Sequence, residues 1–376
     1  MRKLGKFIIL IAIVWICWSA YGSTFQQTGI TGVMEKVRTD VQDIKENQTI
    51  KKAIETINHD IQTLFARLMD KQNEGEETQS PEPEKPPLHA PTGESFSIHN
   101  IEIGEKRVNV EKEVGKPKRS SLNEYDVDWV AYHENYHHFI MVAYDQAEHV
   151  AGLYTNQDLL TSTYDIKMGT TRESVRAQLQ DPLTSIRKGF IHYQFEKTDE
   201  FDTFLIDDQY VTIFYDKHEA QTVTAIQIIS SNLEQKKTGF FGVPNTQLKE
   251  GFEYQLFDLT NAERVRRGLS ALTWDDAVRD TARHHSADMA EHHYFSHTNL
   301  EGLSPFDRME RDGITYRIAG ENLATGQSSS IFAHEGLMNS LGHRENILKE
   351  DYKVLAVGVA FDNESIPYYT ENFVTK

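Results

Sequence analysis

Apolar positions divide the chain into regions of different period. Arg2, Lys3 and Lys6 precede an unbroken apolar run from Phe7 to Trp18, and Ala20-Tyr21-Gly22 follows with small residues spaced for cleavage. Twelve residues fall short of the roughly 20 that a spanning helix needs. Residues 1–22 are therefore read as a signal peptide or, if retained, as a membrane anchor. Between Met34 and Met69, Val37, Val41, Ile44, Ile50, Ile54, Ile57, Ile61, Leu64, Phe65 and Leu68 recur at threes and fours. That period predicts an amphipathic helical segment within residues 23–72, suited to a stalk or to self-association. Residues 73–95 are acidic, carry Pro81, Pro83, Pro86, Pro87 and Pro91, and have almost no apolar positions. Such a stretch cannot bury a core and predicts an extended linker.

The next region, 96–235, repeats itself. Ile103-Gly104, Val110, Val114 and Pro117 recur 65 residues later as Met168-Gly169, Val175, Leu179 and Pro182. Tyr144-Asp145 with Val150 is echoed by Tyr215-Asp216 with Val223. Each copy predicts a short helix, Arg107 to Val114 and Thr171 to Leu179, followed by alternating strands such as Tyr125 to Tyr132 and Phe139 to Tyr144. Two α/β half-units packed together are expected.

After a connector around Lys236 to Thr246, region 250–376 opens with a predicted helix from Glu250 to Arg267, striped by Phe252, Leu256, Leu259 and Val265 and ended by Gly268. A second helix starts at Asp275 or Asp276 and runs to about His293, with His285 and Met289 on one face. Pro305 to Arg311 and Ser330 to Asn339 predict further helices; Val354 to Phe361 and Tyr368 to Val374 predict strands. Of the histidines on the second helix, His284, His285, His292 and His293, most are expected to be solvated or structurally hydrogen-bonded.

Charge bears on one class of partner. A formal net charge of −18 argues against nucleic acid as a partner, since binding a phosphate backbone needs an extended basic face, and none is expected beyond the N-terminus. The lone Cys17 lies in the leader, which leaves the folded part without a disulfide or thiolate chemistry. Val14-Trp15-Ile16 offers no small residue before it, so no lipoprotein site is read.

His133-Glu134-Asn135-Tyr136-His137 matches the H-E-x-x-H pattern, which binds zinc only when a helix brings both histidines to one face. Its flanks alternate with period two and Glu134-Asn135 falls where a hairpin would turn. Strands, not a zinc-binding helix, are expected there.

Chemistry-bearing residues concentrate between Tyr294 and Leu348. Tyr294-Phe295-Ser296-His297-Thr298-Asn299, Gly320-Glu321-Asn322-Leu323-Ala324 and Asn339-Ser340-Leu341-Gly342-His343-Arg344-Glu345-Asn346-Ile347-Leu348 bring two histidines and a carboxylate from what read as separate loops. These are the groups of an open zinc site or of an acid/base pair.

The region from about Gly251 onward resembles the CAP superfamily (cysteine-rich secretory proteins, antigen 5, pathogenesis-related 1), specifically its bacterial branch. The resemblance rests on Asn261-Ala262-Glu263-Arg264, Gly268-Leu269, Leu272, Trp274, His285 to Ala290, the three segments above, Val357-Gly358-Val359 and Tyr368-Tyr369-Thr370, in family order. The duplicated region resembles the domain that accompanies bacterial CAP domains on their N-terminal side. The resemblance implies an α+β chain: a three-layer α-β-α CAP sandwich preceded by the duplicated α/β domain and an N-terminal helix. It also implies a cleft with two histidines, His297 and His343 here, and two acids, of which Glu321 matches the first. At the second acid's position stands Ser340, with Leu337 where an aromatic is usual; Glu335 on the same helix is the available substitute.

Two histidines without a second carboxylate imply modest zinc affinity, with water or substrate completing the site. Two functional expectations follow. One is an exported binding module, extracellular or anchored on the outer face of the cytoplasmic membrane, whose cleft recognises a peptide, lipid or cell-envelope ligand. The other is a zinc-dependent, peptidase-like hydrolase with Glu321 as general base.

Overall fold

The computed structural model describes residues 83–179, 181–195 and 198–376. The predicted leader, the amphipathic segment and the start of the linker lie outside the described residues. Contacts group Glu82–Lys376 into one compact unit, which holds both the repeated region and the C-terminal one.

The repeated region is built on a seven-stranded antiparallel sheet of β2 (Arg119–Leu122), β3 (Asp128–Glu134), β4 (His137–Tyr144), β5 (Val150–Thr155), β9 (Phe201–Ile206), β10 (Gln209–Asp216) and β11 (Thr222–Ser230), in the order β2-β3-β4-β5-β11-β10-β9. Two small pairs accompany it, β1 (Phe96–Ile98) with β6 (Leu160–Ser162), and β7 (Ser185–Lys188) with β8 (Ile191–Gln194). Alternation sorts the side chains. Val130, Tyr132, Ile140, Val142, Leu153, Val211, Ile213, Ile226 and Ile228 face Val110 of helix α1 (Arg107–Val114) and Val175 of α2 (Arg172–Gln178).

The two halves share local geometry. Gly104 and Gly169 take φ of 90° and 83°, a left-handed conformation that favours glycine. Gly104 N–H donates to the Val150 carbonyl and Gly169 N–H to that of Val223. A register shift follows at Ala143/Tyr144 and again at Phe214/Tyr215. Arg107 lies over the Tyr144 ring and Arg172 over the Tyr215 ring, at 5.1 and 5.3 Å. At the β3–β4 turn, Asn135 and Tyr136 both have positive φ, as a two-residue hairpin of this twist requires. The H-E-x-x-H residues thus straddle a hairpin: Glu134 pairs across it with His137, and His133 Nδ1 accepts from the Tyr136 N–H.

The opposite face of the large sheet, with Trp129, Ala131, Phe139, Met141, Tyr154 and Phe214, packs on Leu259 and Ala262 of α4 (Thr246–Arg266) and Ile331 of α7 (Ser330–Asn339). A short helix, α3 (Ser231–Lys236), leads into the connector before α4. Gly251 is where α4 meets β2: a Cβ there would stand 2.0 Å from the Leu122 carbonyl oxygen. Asn245 caps α4 by accepting from the Leu248 N–H, so the helix begins one turn before the predicted Glu250.

The C-terminal region is a three-layer sandwich. A sheet of order β12-β14-β13 is formed by β12 (Ile318–Thr325), β13 (Val354–Phe361) and β14 (Pro367–Thr375). Leu355, Val357, Val359, Tyr369, Phe373 and Ala324 face α4, α7 and α8 (Leu341–Ile347). Ala356, Val374, Ala319 and Leu323 face α5 (Asp276–His292) and α6 (Pro305–Arg311). The fold is α+β.

Two expectations need correction. The Gly320–Ala324 segment is the middle of strand β12, not a loop; its polar Glu-Asn pair hides the alternation, and pairing with β14 fixes it as strand. His343 likewise sits on helix α8, which has no side-chain N-cap to announce it.

Candidate functional site

The site is organised by the edge strand β12. Successive side chains on a strand point to opposite faces, so Glu321 points into the layer of α5 and α6, and Asn322 into the layer of α7 and α8. Each holds one of the two histidine-bearing segments.

Glu321 is buried, and both of its carboxylate oxygens are engaged. One accepts from Arg308 on α6 at 2.6 Å and the other from His297 Nδ1–H at 2.9 Å. The imidazole of His297 is itself 53% exposed, against 1% for the Glu321 side chain. Arg308, held in place by the capping box of Ser304 and Asp307 at the start of α6, also donates to the carbonyls of His297 and Leu303. His285 on α5 bonds through Nε2 to the carbonyl of Ser296 at 2.9 Å, fixing the loop just before His297. Burial is the main reason its pKa is lowered, which keeps it neutral and structural.

On the other face, Asn322 donates to the backbone carbonyl of His343 and to Glu371, and its own side-chain carbonyl accepts from Asn346 at 2.9 Å. Glu371 is fully buried, and desolvation pushes its carboxyl up to about 7; its two oxygens accept from Asn322 and from Thr260, which makes it a strut between β12 and α4. His343 has its pKa lowered first by burial and then by the neighbouring His297, and its Nδ1 is buried without a protein partner.

Of the three residues singled out from the sequence, the structure joins His297 and Glu321 directly, and His343 lies close enough to His297 to feel its charge. The structure does not bring Glu335 to them. Glu335 faces the large sheet, where Tyr154 OH donates to it at 2.7 Å, and burial pushes its carboxyl up to about 8. As a substitute second acid it is ruled out by that orientation. Ser340, at the family's acid position, links α7 to α8. Arg308, Asn322, Asn346 and Glu371 were not foreseen. For Arg308 the sequence offers only a capped seven-residue helix with nothing to say which way the guanidinium turns. Of the remaining histidines, His292 bonds back to Asp288 on its own helix and His293 takes the left-handed conformation that ends α5.

Among the described residues, no group of three or more His, Cys, Asp or Glu side chains is arranged to hold a metal ion. With Nδ1 of His297 committed to Glu321, its Nε2 is left to face outward. A carboxylate behind an imidazole, as Glu321 stands behind His297, is the arrangement that orients metal-ligating histidines, but no third ligand accompanies His297 and His343 among the described residues.

Sequence profiles match two consecutive parts of the chain: CAP-associated N-terminal over residues 103–240 and the cysteine-rich secretory protein family over 257–373. The Bacillus subtilis protein named "Uncharacterized membrane protein YlbC" is 29% identical over 307 residues, covering 77% of this chain and 86% of YlbC. A second Bacillus subtilis protein, YkwD, is 40% identical over 125 residues, 33% of this chain and 48% of YkwD. The crystal structure of an extracellular protein containing a SCP domain from Bacillus anthracis superposes with a TM-score of 0.63 at 25% identity, covering 80% of this chain and 99% of that one. A cysteine-rich secretory protein from Staphylococcus aureus shares the fold, with a TM-score of 0.58 at 15% identity, over 77% of this chain and 100% of the other. Among the described residues no helix is long and apolar enough to cross a membrane.

Proposed function

The chain belongs to the CAP superfamily, with a CAP-associated N-terminal domain ahead of the CAP domain, and from that premise we propose that it is an exported binding module of the cell envelope. Its ligand-contacting edge is the pair His297 and His343 on either side of β12. The observation that carries this reading is the state of Glu321. Both oxygens are saturated by Arg308 and His297 in a buried pocket, whereas a general base needs a free oxygen within reach of the proton it takes. Glu321 acts here as an orienting group that fixes the tautomer and direction of His297. An envelope location is supported by the relatives, one named a membrane protein and one an extracellular protein, and by the basic-then-apolar leader.

The zinc-hydrolase reading keeps one supporting observation: a carboxylate behind an imidazole is also how metal-bound histidines are held. Zinc at His297 and His343 would acidify a bound water. The full chain incubated with purified peptidoglycan, with lipid vesicles and with a peptide library, each with and without zinc, separates the two. Binding that is lost on His297→Ala or His343→Ala, without turnover, supports the module. Zinc-dependent cleavage abolished by Glu321→Gln would establish the hydrolase instead.

A further inference from the structure

Two stretches of this acidic chain carry basic residues and no acids. Residues 182–195 and 235–249 contain no Asp or Glu, yet carry Arg187, Lys188, Lys236, Lys237 and Lys249. The fold brings the two stretches together. Lys188 Nζ donates to the Lys237 carbonyl, Tyr193 OH to that of Thr238, and Gln235 to that of Arg187. Tyr193 stacks with Phe240, centroids 6.5 Å apart. Beneath them, Lys188 is pinned by the buried Glu234 at 2.6 Å, so the β7–β8 hairpin is latched to α3 and the connector after it. Asp126 borders this surface, beside Lys236 and Val243.

What the latched hairpin presents outward is apolar. Its two-residue turn is Gly189-Phe190, with Gly189 at φ 59°, and Phe190 is 100% exposed and Ile191 56%. The joined connector adds Val243 at 73% and Phe240 at 42%. A latched hairpin with bare Phe-Ile at the tip, with Arg187 exposed on it and Lys236 exposed on the joined connector, has the composition of a surface that enters the headgroup layer of an anionic bilayer: aromatic and aliphatic side chains insert and cations meet the phosphates. A soluble polyanion would satisfy the cations but leave Phe190 and Ile191 in water.

We propose that the β7–β8 hairpin tip, with the 236–243 connector, is a docking surface for an anionic lipid bilayer, separate from the histidine cleft. It would lay the CAP-associated domain against the membrane whether or not the leader is retained, and does not depend on what the cleft binds.

The test uses the full chain, because Cys17 is its one cysteine and Cys17→Ser with Phe190→Cys gives a single labelling site on a fully exposed position. An environment-sensitive fluorophore at that site is read in phosphatidylcholine vesicles and in vesicles containing phosphatidylglycerol, with brominated acyl chains as quencher. The expected result is a blue shift and quenching in the anionic vesicles only. Arg187→Glu with Lys236→Glu should weaken the inserted fraction by about five-fold for each charge removed, equivalent to about 1 kcal/mol. A label that stays water-like and unquenched in both vesicles overturns the proposal, even if the leader holds the chain on them. So does equal insertion into both, which would remove the role of the cations. A label that responds to soluble polyphosphate but not to vesicles would assign the face to a soluble polyanion and overturn it as well.

Discussion

Arg344, the residue after His343, reaches out of the CAP domain to Asp216 in the second copy of the N-terminal repeat, 2.8 Å away and buried on the Asp216 side. The same turn grips the helix junction before it: Lys217 N–H donates to Asn339, Asn339 donates back to the Tyr215 carbonyl, and Glu219 accepts from both Arg344 and Arg267. The accompanying domain thus fixes the start of the helix that carries His343.

Arg344→Ala should therefore act twice. Removing a charge-assisted hydrogen-bond partner from a buried carboxylate costs about 2–3 kcal/mol of stability, with Arg267 remaining on Asp216 to limit the loss. Urea denaturation measures that cost. Affinity at the His297–His343 edge should fall in the same variant although Arg344 touches no ligand, and Arg344→Lys should restore stability only in part because a single ammonium does not reproduce the fork that bridges Asp216 and Glu219.

Glu335 makes stability pH-dependent in an unusual direction. Its carboxyl is raised to about 8 from an ordinary value near 4.3, so between those limits the folded state holds a proton that the unfolded chain has released. Stability from this group is present in full below about pH 4 and is lost as pH rises towards 8. The Tyr154 hydroxyl, Glu263, Arg266 and Asp216 are its neighbours. Glu335→Gln, which mimics the protonated form, should match the wild type below about pH 4 and exceed it at pH 9 by up to about 5 kcal/mol. Equal pH profiles for the two proteins would show that Glu335 is ionised in the fold.

At Gly251 the two domains touch through backbone. A methyl group there would meet the Leu122 carbonyl at 2.0 Å, and neither α4 nor β2 is free to retreat. Gly251→Ala should cost about 2–3 kcal/mol or more despite the better helix propensity of alanine, read as a lower thermal midpoint. Gly336→Ala is the control, since a Cβ there meets nothing within 4 Å.

Much of this was legible in the chain. Arg107–Val114, Pro305–Arg311 and Ser330–Asn339 form the helices read from the sequence, and Val354–Phe361 is a strand as read. Of the site residues, His297 and Glu321 are in contact, while His343 stands on the neighbouring helix α8. What could not be read depends on groups far apart in sequence. β12 is polar at its centre and is made a strand by β14. The pairing of Arg308 with Glu321, and the turning of Glu335 towards Tyr154 rather than the cleft, are set by packing between layers, and local spacing carries no trace of either.

The state of Glu321 is the centre of the account, and zinc reads it directly. Isothermal titration of zinc into the wild type and into His297→Ala/His343→Ala should show weak, saturable, single-site binding in the first, absent in the second, because among the described residues no third ligand joins the two imidazoles. Tight binding in the wild type would contradict it, because it would require Glu321 to leave Arg308 and join the metal as a third ligand.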